Sequence, residues 1–273
     1  MSDADRPAGR VLIIAGSDSG GGAGIQADIK AVTMLGGYAM TAITAITAQD
    51  TTGVHGVWPV ALEAVRAQML ACLTDIGADT IKTGMLGSAQ LVETVAETLD
   101  TEARETPRIV DPVMVATSGD ALVDEKAVSA IAALMIPGAH LVTPNAPEAE
   151  VLTGKAVDGV NGQRRAAEAL LERGAKGALI KGGHIPGKLV LDVLQTETGE
   201  WIFESERIDT RSTHGTGCTL ASAAAALIAR GQSASDAVDG ARLYLHEAIK
   251  RAPGLGKGHG PVAHNWKILD QDN

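Results

Sequence analysis

The chain has 273 residues, with 23 Lys and Arg against 33 Asp and Glu for a formal net charge of −10, and its length suits one large α/β domain or two small ones. Hydrophobic residues make up 45%, charged residues 21% and aromatic residues 2%; this excludes a disordered or fibrous chain, and the lack of a basic footprint or stacking rings excludes nucleic-acid binding. Two cysteines, Cys72 and Cys218, are too few for a disulfide framework or a four-cysteine zinc site and point to a reducing, cytoplasmic setting, while no run approaches the ~18 apolar residues of a membrane span and no targeting segment is visible.

The first apolar run, Val11 to Ala15, ends at Gly16 and leads through a Ser/Gly-rich loop into a stretch that sets Ile25, Ile29 and Val32 on one helical face. A second run, Tyr38 to Ala48, precedes a helix striped by Leu62, Val65, Met69, Leu73 and Ile76, and Cys72 beside that stripe reads as core. Further short runs at Thr80 to Thr83, Arg108 to Asp111, His140 to Thr143 and Gly177 to Lys181 alternate with helical patterns. The rhythm predicts an α/β fold in which helices cover both faces of a mostly parallel central sheet. Leu189 to Leu194 and Trp201 to Glu204, joined at Glu197-Thr198-Gly199-Glu200, predict a β-hairpin, and two helices follow, Thr219 to Arg230 and Ala234 to Lys250. A Gly-rich segment, Gly254 to Gly260, comes next; a single domain over 11–266 is expected, between an extension at 1–10 and a tail at 267–273.

Ligands of open parallel sheets bind beyond the carboxyl ends of the strands. Those ends carry Ser17 to Gly24, Gln49-Asp50, Lys82 to Met85, Asp111 to Val113, Pro144 to Glu148 and Lys181 to His184, a rim of carboxylates, a lysine and glycines suited to a phosphorylated or metal-bound ligand. Thr213-His214-Gly215-Thr216-Gly217-Cys218 opens a helix, and its glycines let successive amides converge on an anion. In that first turn the helix field is expected to lower the Cys218 thiol pKa and make it a poised base; the plain alternative is a small cysteine packed under an Ala-rich helix.

No Gly-Lys pair is followed by Ser or Thr, so the Walker loop is absent. Gly22-x-Gly24-x-x-Ala27, with Asp50 as a ribose ligand, forms a relaxed dinucleotide fingerprint and the rival reading of a non-catalytic dinucleotide-binding module, although Asp18 just upstream would repel a pyrophosphate. Asn145 and Glu148 fit a capping box and a place beside Mg²⁺ equally well, and the two roles can coexist. His184, His214 and His259 lack metal-binding spacing and read as hydrogen-bonding loop residues.

The segments from Ala15 to Asp28, Lys82 to Leu86, Asp111 to Val115, Thr143 to Glu150, Lys181 to His184 and Thr213 to Cys218, closed by Gly258-His259-Gly260-Pro261, together resemble the bacterial bifunctional hydroxymethylpyrimidine/phosphomethylpyrimidine kinase family of the ribokinase-like superfamily, over roughly Val11 to Trp266. The resemblance implies a single-domain ribokinase-like fold and two ATP-dependent phosphoryl transfers, first to 4-amino-5-hydroxymethyl-2-methylpyrimidine and then to its monophosphate, feeding thiamine diphosphate synthesis. It implies that Gly215, Thr216 and Gly217 form the anion cup, that Cys218 is the base where the wider superfamily has Asp, and that Gln49, Asp18, Ala23, Met85 and Val113 form the pyrimidine pocket. Lys181, Asn145 and Thr213 would meet ATP phosphates, and Asp111 and Glu148 would act around Mg²⁺, largely through water. Two departures, Thr117 where some relatives carry Lys and Ala263 where others carry Asn or His, bear on phosphate affinity in the second step. A pyridoxal kinase of the same superfamily is the alternative activity. The expected partner is the small pyrimidine substrate, with no nucleic acid and no membrane, and a homodimer stays open.

Overall fold

A computed structural model describes residues 9–116, 119–120 and 122–269; Thr117 lies outside the described residues. Among the described residues the strands are β1 (Arg10–Asp18), β2 (Tyr38–Gln49), β3 (Val54–Pro59), β4 (Thr80–Thr83), β5 (Arg108–Val110), β6 (Leu141–Val142), β7 (Gly177–Ile180), β8 (Leu189–Thr196) and β9 (Gly199–Glu206). They form one sheet in the order β3-β2-β1-β4-β5-β6-β7-β8-β9. Pairing from β2 through β7 is parallel, and the two ends, β2·β3 and β7·β8·β9, are antiparallel.

The helices are α1 (Gly24–Met34), α2 (Leu62–Ala71), α3 (Ala89–Glu102), α4 (Glu125–Ala130), α5 (Ala146–Thr153), α6 (Val160–Glu172), α7 (Thr216–Ala229), α8 (Ala234–Lys250) and the short α9 (Trp266–Leu269). Strand alternation divides the core between two layers. On β1, Leu12 and Ile14 face the layer of α2, α3, α5 and α6, whereas Val11, Ile13 and Ala15 face α1, α7 and α8. The chain winds outward in opposite directions from β1, toward β2 on one side and β4 on the other, so a crevice opens at the carboxyl ends of these two strands.

Four local expectations are corrected. β1 runs to Asp18 instead of stopping before Gly16, because its end bridges back to Gly24. Ile29 is exposed at 37%, since α1 turns Ile25, Asp28, Ala31 and Val32 inward and Asp28 takes the place beside Lys82. The hairpin turn is the two-residue Glu197-Thr198, with Thr196 and Gly199 already paired. The helix expected at Thr219 begins at Thr216, which places Cys218 inside its first turn. The stripe ending at Leu73 and Ile76 continues from α2 as a wider π turn over Cys72–Ile76, and Cys72 packs against the core as expected.

Helix α7 lies between the sheet, α1 and α8, and its Ala223, Ala224, Ala225 and Ala226 are no more than 1% exposed. Small side chains let three helices approach there, so Ala224→Leu should cost about 1–3 kcal/mol by overpacking, read from the urea midpoint. The C-terminal segment is tied to α7 and α8: Tyr244 Oη donates to the His264 carbonyl at 2.7 Å, and the His264 ring bonds Thr219 Oγ1 at 2.9 Å. Burial, reinforced by Lys30, pushes the His264 pKa down to about 4. Between that value and the ordinary 6.5 the unfolded chain binds a proton that the folded chain refuses, so stability is complete above 6.5 and falls on acidification toward 4. The full loss amounts to roughly 3 kcal/mol. Urea unfolding at pH 7 and at pH 4.5 should show this loss in the parent chain and a flatter dependence in His264→Gln.

Candidate active site

The end of β1 and the loop before α7 meet over a contact that only glycine permits. Gly215 adopts φ +78°, and a Cβ there would collide with the Gly22 carbonyl oxygen; a Cβ on Gly22 would strike the His214 ring. Asp18 joins the two loops. Its Oδ1 accepts from the Gly20 amide at 2.8 Å, and its Oδ2 accepts from Gly22 at 3.0 Å, Ala23 at 2.8 Å and His214 Nε2 at 2.8 Å. Burial alone would raise the Asp18 pKa, but the His214 bond and the Ala23 and Gly20 amides outweigh it and hold the carboxyl below its ordinary range. Asp18 borders the cleft as expected, yet both of its oxygens serve the loop.

This geometry removes the dinucleotide reading. The amides of Gly20, Gly22 and Ala23, which would have to cradle a pyrophosphate, are already held by Asp18, and Asp50 lies exposed in a turn, bonded to Thr52 and His55.

With Gly215 as its cap and no capping side chain, α7 presents the first-turn amides of Gly217 and Cys218 to a cleft of about 1130 Å³, while the Thr216 amide turns back to the Thr213 carbonyl at 3.3 Å. All of the expected site residues border this cleft: Asp18, Ala23, Gln49, Met85, Asp111, Val113, Asn145, Glu148, Lys181, Thr213 and Gly215 through Cys218. A Cβ on Gly217 would lie 3.4 Å from Lys181 Nζ and 3.9 Å from Asp111 Oδ2, so the amide cup opens directly onto that pair. Gln49 is steered by its neighbours: Thr47 Oγ1 donates to its Oε1 at 3.3 Å, and Ser19 Oγ holds its backbone.

Lys181 Nζ lies 3.1 Å from Asp111 Oδ1, which also accepts from Thr143 Oγ1 at 3.0 Å. Burial opposes the Lys181 charge, but Asp111 and Glu148 override it and raise its pKa. Glu148 completes the capping box of α5, exchanging bonds of 2.8 and 2.9 Å with Asn145. Burial, with Asp111 adding to it against Lys181, lifts the Glu148 pKa to about 7. Asp111 Oδ2 is buried and has no hydrogen-bond partner. Two adjacent carboxylates with acceptor capacity to spare fit a Mg²⁺ ion that keeps much of its water, and among the described residues no group of three His, Cys, Asp or Glu could hold a metal by itself.

The half-buried Cys218 corrects one expectation. Burial pushes its thiol up to about 12, where the helix field was expected to lower it; Lys82 and the Gly24 amide pull the other way, and Asp28 and Asp111 add to the rise. Burial and the neighbouring carboxylates outweigh the helix terminus and favour the protonated sulfur.

Sequence reasoning missed two groups. One is the ion pair between Lys82 and Asp28, both fully buried, with Nζ 3.0 Å from each carboxylate oxygen and Ser222 Oγ donating at 2.6 Å; the signal was a lysine inside a strand of otherwise buried residues. The other is the far wall from β8, β9 and α8, which includes Val190, Ile208, Leu243 and Ile249. Leu243, 62% exposed on α8, was its one visible sign.

The phosphomethylpyrimidine kinase family profile matches residues 18–263. The hydroxymethylpyrimidine/phosphomethylpyrimidine kinase of Streptomyces coelicolor is 49% identical over 94% of this chain and 95% of its own length. The thiamine biosynthesis bifunctional protein ThiED of Geobacter sulfurreducens is 48% identical over 94% of this chain and 52% of its own. Among solved structures, the pyridoxal kinase of Bacillus subtilis in complex with ADP superimposes with a TM-score of 0.89 at 35% identity, covering 96% of this chain and 99% of that one. The fold is that of these vitamin kinases, and the chain is an ATP-dependent kinase that belongs to the phosphomethylpyrimidine kinase family.

Proposed function

We propose that this kinase phosphorylates the hydroxymethyl oxygen of 4-amino-5-hydroxymethyl-2-methylpyrimidine and then the resulting monophosphate, in the route to thiamine diphosphate. The observation that carries this is the first turn of α7 facing the paired Lys181 and Asp111, whose Nζ and Oδ1 lie 3.1 Å apart, at the sheet's switch point. Phosphoryl transfer asks a protein chiefly for alignment and charge stabilisation, and that arrangement supplies both.

In this reading Gly215, Thr216 and Gly217 form the cup for the phosphoryl oxygens, with the Gly217 amide donating while charge develops and the Thr216 amide released from the Thr213 carbonyl to join it. Lys181, with Asn145 and Thr213, holds the donor phosphates. Ala23, Met85 and Val113 receive the uncharged heterocycle, and Gln49 orients it with the amide nitrogen that Thr47 leaves unengaged. Asp111 and Glu148 would hold Mg²⁺, which when bound neutralises donor-phosphate charge. As the alcohol oxygen bonds to phosphorus and ADP leaves, the alcohol proton passes to the Cys218 sulfur late in the transfer, after that thiol has given up its own proton. The cytoplasm is the fitting location, since both cysteines are free thiols. Resemblance to a solved pyridoxal kinase supports a second acceptor alcohol, pyridoxal.

Release of ADP on incubation with ATP, Mg²⁺ and the hydroxymethylpyrimidine, above the rate without pyrimidine, is expected; its absence would refute the reading. A higher kcat/KM for pyridoxal would reassign the acceptor. Cys218→Ala should lower kcat about 10²- to 10⁴-fold with little change in ATP affinity, whereas normal turnover would reduce Cys218 to packing. Lys181→Met should weaken ATP binding as well as turnover.

A further inference from the structure

Lys82 and Asp28 do none of the work assigned above, yet they occupy the most desolvated position near the reacting groups. Both side chains are fully buried. Such a pair gives up the hydration of two charges and is often no more stabilising than apolar side chains of the same volume, so stability alone does not account for it. Its placement does. Ser222, which donates to Asp28, follows Cys218 by one helical turn and shares its face of α7. Gly84 leaves room for the ammonium, since a Cβ there would stand 3.1 Å from Lys82 Nζ.

We infer that Lys82 is a positioning residue for phosphoryl transfer: clamped by Asp28 beneath the first turn of α7, its ammonium is the fixed positive charge against which Cys218 holds the thiolate that accepts the alcohol proton. The inference rests on Cys218 as proton acceptor. Four charged groups act on the sulfur: Lys82 from β4, Asp28 from α1, Asp111 from the end of β5 and Lys181 from the end of β7. Burial opposes the Lys82 charge, but Asp28, Cys218 and Asp111 together hold its pKa above the ordinary value, so it stays an ammonium throughout the working range. Of the groups acting on the thiol, burial and the two carboxylates favour the protonated form, and Lys82 is the strongest pull toward the thiolate. The proton balance is simple: Cys218 releases its proton to solvent, and the thiolate then takes the proton of the attacking alcohol as the oxygen–phosphorus bond forms and ADP departs.

Lys82→Met removes the charge but leaves Asp28 buried and unpaired, so the charge-neutral Lys82→Met/Asp28→Asn chain, which retains an acceptor for Ser222, is tested beside it. Iodoacetamide modification of Cys218, followed site by site by peptide mass spectrometry between pH 7 and 10, reports thiolate without reference to turnover. Slower Cys218 modification in the neutral pair than in Asp28→Asn alone, which differs from it only in the Lys82 charge, is expected by severalfold in folded chains, together with a lower kcat, a nearly unchanged KM and an alkaline-shifted kcat profile. Modification and kcat equal to those of Asp28→Asn in a folded double variant would overturn the inference and leave the pair structural. Slowed modification with unchanged kcat would also overturn it, through the failure of Cys218 as acceptor, and Cys218→Ala would then turn over normally.

Discussion

The Asp18 carboxylate is the joint on which the cleft depends. It gathers four donors, three amides of its own loop and the ring of His214 from the loop ahead of α7. A carboxylate only 2% exposed would destabilise the fold without such partners; with them it locks two glycine loops together at a distance only glycine tolerates. The contact sets the direction in which α7 enters the sheet crevice, and therefore where the Gly217 amide and the Cys218 sulfur stand relative to Lys181 and Asp111. Thr219 extends the brace by donating to the Gly215 carbonyl at 2.8 Å while it bonds His264.

The charge pattern follows from what the cleft must receive. Lys82 and Lys181 face Asp28, Asp111 and Glu148, an excess of one carboxylate that the raised Glu148 pKa partly relieves. Donor phosphates and the Asp111 and Glu148 carboxylates carry like charge, and in the proposed reading a divalent cation held by those carboxylates would offset that repulsion. The partnerless Asp111 Oδ2 is the acceptor capacity this needs.

Much of this was legible in the sequence because it is local. Short apolar runs located β1 and β2, the helical stripes located the flanking layers, and strand-end polarity marked the rim. The glycines of Gly215 and Gly217 announced an anion site because backbone conformation is a property of a few neighbouring residues. What stayed hidden depends on partners distant in sequence. Asp18 looked like a ligand-facing, repulsive charge because its most telling partner, His214, is 196 residues away. Ile29 seemed to belong to the core because apolarity carries no information about Lys82, which claims that side of α1 for Asp28. β3 went unseen: its His55, Gly56 and Pro59 resemble a turn, and its residues are largely exposed on an antiparallel edge. The Cys218 thiol was misjudged for the same reason, since a helix terminus can be read from sequence and burial cannot.

The same electrostatics explain why a thiol serves at this helix terminus. A carboxylate at position 218 would be a fourth negative group beside Asp28, Asp111 and Glu148, and at short range in a water-poor pocket like charges are costly. A thiol whose pKa burial raises spares the folded protein that further charge. In the proposed reading its anion is needed only when cationic and amide groups are arrayed around the transferring phosphoryl group. An ammonium buried with Asp28 under the same helix, rather than a free one in the cleft, would supply that support without competing with the donor phosphates for the same positive charge.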